Sequence, residues 1–158
     1  MTKKLAFSFR VPGHAVGKSR PRVTSRGTFT PPTVTKAEKA VQLFALAARP
    51  RGWPLTSPSY AVELDVYERS GKGGRRGVRP DIDNCGKLVL DALQGVAFAN
   101  DVAVDDVRFT RHRTDGTPCV LVTVHRSEDP EALARGAVCW IADAKVNPDP
   151  TEPWEVRP

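Results

Sequence analysis

Alternation of apolar and polar positions opens the chain. Leu5, Phe7, Phe9 and Val11 alternate with Ala6, Ser8 and Arg10, which predicts a first strand ended by Pro12 and Gly13. Residues 13–32, GHAVGKSRPRVTSRGTFTPP, are polar, basic and broken by Gly and Pro, so they are expected to form a loop. Thr35 and Glu38 have the T-x-x-E spacing of a capping box. Ala37, Ala40, Val41, Phe44, Ala45 and Ala48 then fall on one side of a helix ending near Pro50. Tyr60, Val62, Leu64 and Val66 predict a second strand. From Ile82 the period lengthens: Ile82, Cys85, Leu88, Val89, Ala92, Leu93 and Val96 make one helical stripe, and Gly95 marks its end. Val107 and Phe109 alternate with Arg108 and Thr110 in a third strand. Asp115-Gly116 is a turn signal, and Val120, Val122 and Val124 make the fourth strand of a hairpin with His112 and His125 on opposite sides.

The order strand, helix, strand, helix, strand, strand predicts an α+β (mixed α/β) single domain, helices packed on a mixed sheet. Its expected extent is residues 1–126. Residues 127–158 are proline-rich and mixed in charge, a C-terminal extension with a short helix over Ala132–Ala142 carrying Trp140. Trp154 is placed to dock this tail on the core or on another subunit. No G-x-G-x-x-G follows the first strand, which argues against a dinucleotide-binding fold.

The densest chemistry lies in RPDIDNCGKLVLDALQGVAFAND, Arg79 to Asp101. Were Asp81 and Asp83 both helical they would sit about 200° apart around the axis. In an extended segment, residues two apart share a face. Pro80 suits a helix start just downstream. Asp81 is therefore expected before the helix and Asp83 in its first turn, both facing one point. Asp83, Lys87, Asp91 and Gln94 lie on the polar face, with Asp83 and Lys87 one turn apart. The short run Val96–Phe98 is expected to return Asp101 beside the helix N-terminus. Each piece also has a plain structural reading. Asp81 is a common N-cap residue, Asp83 a favoured first-turn acid, Lys87 a surface ion-pair partner and Asn100-Asp101 an ordinary turn.

Charge adds to this picture. A formal charge of +6 in 158 residues and a pI near 9.5 suit a polyanionic partner, nucleic acid first. Lys18, Arg20 and Arg22 alternate in the first loop, and Lys72, Arg75, Arg76 and Arg79 crowd a glycine-rich loop before Asp81. Both runs are candidate phosphate contacts, or else solvated basic loops. Cys85, Cys119 and Cys139 show no C-x-x-C spacing, and the histidines no ligand spacing, so neither a zinc site nor a disulfide framework is indicated. No signal-peptide core or membrane-length apolar run is present, and no basic amphipathic helix marks a membrane-surface protein. A reducing cytoplasm is the expected compartment.

Taken together, PDIDN, Lys87, LDALQG and the turn at Asn100-Asp101 closely resemble the signature of the RusA family of Holliday-junction resolvases, common in bacteriophages and prophages. The resemblance covers roughly residues 5–125 and includes a K-x-R-P-R stretch followed by T-P-x-T. It implies that Asp81, Asp83 and Asp101 bind metal and that Lys87 is the catalytic lysine. One position departs: where the family often has two acids in the final turn, the first here is Asn100, and Asp105 and Asp106 lie nearby. The implied activity is resolution of four-way DNA junctions by paired phosphodiester hydrolysis, by a homodimer in a bacterial cell and close to its nucleoid. Hard oxygen ligands suit Mg²⁺, with Mn²⁺ as a substitute. Alternatives are a nuclease for flaps or forks, and an inactive junction-binding module, which Asn100 motivates.

Overall fold

The computed structural model describes residues 5–19, 22–25, 27–69 and 80–127. Arg20, Lys72, Arg75, Arg76 and Arg79 lie outside the described residues, as do Cys139, Trp154 and the helix expected around Trp140. Arg22 enters only through its backbone. The elements are β1 (Leu5–Pro12), β2 (Arg22–Thr24), β3 (Gly27–Phe29), α1 (Pro32–Ala48), β4 (Ser59–Arg69), α2 (Ile82–Leu93), a 3-10 turn (Asp101–Ala103), β5 (Val104–Thr114) and β6 (Cys119–Ser127). They make the single-domain α+β fold that the pattern predicts.

The main sheet runs β1-β6-β4-β5, and β2 and β3 pair separately. β6 is antiparallel to both β1 and β4, whereas β4 and β5 are parallel and joined through α2. Parallel neighbours need such a crossover. Pairing carries the apolar alternation across the sheet in rows: Phe7, Val124 and Val62; Phe9, Val122, Leu64 and Phe109; Val11, Val120 and Val66. These rows and both helices form one core in which Val62, Leu64, Val66, Val122 and Val124 are buried. On α2 the stripe falls as expected, with Cys85, Leu88, Val89, Ala92 and Leu93 buried. Gly95 takes φ +75, the left-handed backbone that glycine permits after a helix end.

Four expectations are corrected. β5 and β6 do not form a hairpin, because β4 lies between them and the connection 115–118 steps over it. Consequently His112, paired with Tyr67, and His125, paired with Ala61, lie on the same open face of the sheet. There His112 Nε2 lies 2.6 Å from Asp65 Oδ1, and its ring stacks on Tyr67. The Thr35–Glu38 capping box is not made: α1 begins at Pro32, with Pro31 as a cap that offers no side-chain hydrogen bond. Proline presets the first-turn backbone, and Glu38 is occupied by Lys18. Phe44 is exposed rather than core-facing, as are Leu43 and Leu46; Val34, Val41 and Ala45 are the buried positions of α1. Finally, the loop expected over 13–32 contains the small β2–β3 hairpin, with Arg22 opposite Phe29.

Close approach of α2 to the sheet depends on Gly86, where an added Cβ would lie 2.2 Å from the Phe109 ring. Alanine is normally the better helix former by about 1 kcal/mol. Here Gly86→Ala is expected to destabilise the fold by about 1–2 kcal/mol through overpacking, read as a lower urea midpoint. Combining it with Phe109→Leu should recover part of that loss. An alanine variant as stable as wild type would mean the helix has room to lift.

Candidate active site

Asp81 is the N-cap of α2, with φ −61 and ψ 144, and its side chain makes no capping hydrogen bond. Its carbonyl accepts the Cys85 N–H at 3.0 Å, so the backbone is committed while the exposed carboxylate is not used to close the helix. The plain N-cap reading therefore fails for this side chain. Asp83 is exposed in the first turn, and Lys87 Nζ donates to its Oδ2 at 3.1 Å. That hydrogen bond, with the lysine's charge, holds the Asp83 carboxyl below the ordinary aspartate value. The pair is therefore intact at neutral pH and is lost only as pH falls through that depressed value.

Behind this turn stands Arg111 of β5, whose guanidinium donates to the Pro80 carbonyl at 2.6 Å and lies 3.9 Å from Glu68. Sequence reasoning missed it. The available signal was alternation: Val107, Phe109 and Arg111 share the helix-facing side of β5, so a cation interrupts an apolar row. The Cys85 thiol, also facing inward, is pushed up by burial, and both Cys85 and Cys119 are free.

Lys18 is placed differently from a waiting phosphate contact. Its Nζ lies 2.7 Å from Glu38 of α1 and 2.5 Å from Asp91 of α2. Burial draws the ammonium's pKa down, yet the hydrogen bonds to Asp91 and Glu38 outweigh it and the net direction is upward. Its backbone N–H donates to the Asn84 carbonyl at 2.8 Å.

Asp101 does not return to the helix N-terminus. It opens the 3-10 turn after α2 and precedes Val104, which pairs with Tyr60 near the start of β4. The Gln94–Phe98 bridge and the Ala99 N–H to Leu55 carbonyl bond fix this stretch at the opposite end of α2. Rise along the eleven residues from Asp83 to Gln94 separates the two ends by roughly 16 Å. The reason is connectivity: parallel β5 must restart at the N-terminal end of β4. Asp105 and Asp106 begin the same strand, so they share that far end. Among the described residues, no three His, Cys, Asp or Glu side chains are gathered to hold a metal ion. Asn100 caps the 3-10 turn by accepting the Val102 N–H at 3.0 Å. An aspartate could make the same bond, so this cap does not account for the departure at this position.

The first-turn acid pair, the lysine one turn on and the helix that presents them lie within a matched family region. The model of the endodeoxyribonuclease RusA family matches residues 12–125, well over half of the chain. The chain belongs to the RusA family. No curated protein matches it. As a RusA-family chain it is an endodeoxyribonuclease for Holliday junctions. Among the described residues, no helix is long and apolar enough to cross a membrane.

Lys87→Met should raise the Asp83 titration midpoint towards the ordinary aspartate value, because the donor that favours the charged form is gone. Carboxyl-carbon NMR titration reads this directly. A midpoint unmoved by the substitution would show that Lys87 does not control Asp83.

Proposed function

We propose that this RusA-family chain is a Mg²⁺-dependent endodeoxyribonuclease that resolves four-way junctions by paired cuts, acting as a homodimer. One observation carries the reading: α2 begins with two exposed carboxylates, Asp81 and Asp83, of which Asp81 has no capping role. Exposed aspartate oxygens two residues apart are the hard donors that Mg²⁺ takes, with Mn²⁺ as a substitute. When bound, the ion would supply Lewis-acid activation of water and stabilisation of charge on the phosphodiester. Asp81 and Asp83 would hold it from one chain.

The protein's own groups then divide the remaining work. Lys87 holds the Asp83 carboxylate with one of its three N–H donors. The others are available to a phosphate oxygen, where positive charge offsets charge developing in the transition state. Arg22 and the basic residues Arg20, Lys72, Arg75, Arg76 and Arg79 would position the DNA backbone.

Asp101 enters the same site from a second copy of the chain. Within one chain it lies at the far end of α2 from Asp83. A two-fold pair set with opposite helix ends adjacent would bring each Asp101 to the partner's acid pair. Such a dimer supplies two symmetry-related sites, as paired junction cuts require.

Cleavage of an end-labelled four-way junction, with and without Mg²⁺, tests the reading with wild type and Asp83→Asn. Wild type should give symmetric nicks that need the ion, and Asp83→Asn should abolish them while junction binding survives. Preferred cutting of a flap or fork would move the substrate assignment. Binding by wild type without any cutting would leave only a junction-binding module.

A further inference from the structure

Between β1 and β2, residues Gly13–Ser19 run as a strap across the helical side of the molecule. Ala15 and Val16 pack against the core from its edge. With His14 they also form one wall of an open cleft of about 340 Å³, with α1 and α2 forming others. The far end of the strap is fastened by a further set of contacts.

Three contacts make the fastening, all directed at α2 or at the helix beside it. Gly17 rides on the first turn, where an added Cβ would stand 2.7 Å from Pro80 Cβ and 3.2 Å from Asn84 Cβ. The Lys18 N–H donates to the Asn84 carbonyl at 2.8 Å. The Lys18 ammonium bridges Glu38 on α1 and Asp91 on α2. Two carboxylates that reach one nitrogen would repel each other without it. Pro80 and Asn84 flank Asp81 and Asp83, so the strap passes beside the turn that carries the acid pair. Three residues further on, the chain enters the β2–β3 hairpin.

We propose that Lys18 is a positioning residue for the nuclease reaction, a clamp that fixes the strap against the first turn of α2 and so steadies the turn that carries the acid pair. This rests on the site assignment made above for Asp81 and Asp83. Lys18 acts through Glu38 and Asp91 and does not bind a phosphate.

Lys18→Met, Asp91→Asn, their double variant and Lys18→Arg, all in the full chain, test this. Three readouts are needed: single-turnover junction cleavage at saturating enzyme, the salt dependence of junction binding, and thermal stability. Both single variants should slow the saturated cleavage rate about ten- to a hundredfold, the scale of a small misplacement. The double variant should be no slower than the slower single, since both break one bridge. The salt slope of binding should stay at its wild-type value, and Lys18→Arg should keep most of the rate because a guanidinium can span two carboxylates. Loss of about one from the salt slope in Lys18→Met, with Asp91→Asn cutting normally, would overturn the clamp and make Lys18 a phosphate contact. A lower melting temperature with an unchanged rate would overturn it as well. Wild type that fails to cut condemns the site assignment itself, whereas normal cutting by wild type and Lys18→Met alike condemns the clamp alone.

Discussion

Burial of one face of α2 against the sheet is the constraint on which the rest of this structure depends. Leu88, Val89, Ala92 and Leu93 are all but inaccessible, and fully burying a leucine or valine stabilises a fold by about 1.5–3 kcal/mol. An exposed ion pair contributes far less, so the apolar stripe decides how the helix is turned. Once it is turned, Asp83 and Lys87 must face out from the layer, and Asp81 is the exposed, extended residue just before the first turn. Gly86 lets the helix come close enough for Phe109 to complete the contact. Arg111 secures the same turn from below through the Pro80 carbonyl. The carboxylates are thus exposed yet set on a buried support, the combination that a precise reactive centre needs.

Much of this is legible from local pattern. The period-two runs name β1, β4 and β6, and the stripe from Ile82 with Gly95 beyond it names α2 almost to the residue. What stayed hidden depends on pairing between distant segments. Alternation in β5 and β6 says nothing about which strand lies between them, and an adjacent turn signal at Asp115-Gly116 suggests a hairpin that the sheet order forbids. The capping-box spacing at Thr35 is a local rule overridden by Pro31 and Pro32, which set the helix start four residues earlier. Lys18 read as one more cation in a basic loop because Glu38 and Asp91 are distant in sequence.

Asp101 is the most instructive case. A short apolar run after a helix suggests a return towards its start, yet the crossover to a parallel strand requires the chain to remain at the helix's C-terminal end. The acid pair and Asp101 are then too far apart to serve one ion within a chain. The same geometry turns a family expectation of two copies into a requirement of the proposed site.

Mixing Asp83→Asn with Asp101→Asn measures that requirement most directly. In the proposed homodimer each substitution would leave every site incomplete. If sites are shared, a mixed dimer carries one intact site, built from Asp83 of one copy and Asp101 of the other. An equal mixture, co-refolded to exchange subunits, should therefore regain single-strand nicking of a junction that neither variant cuts alone. A mixture as silent as its parents, with mixed dimers demonstrably present, would contradict the shared site.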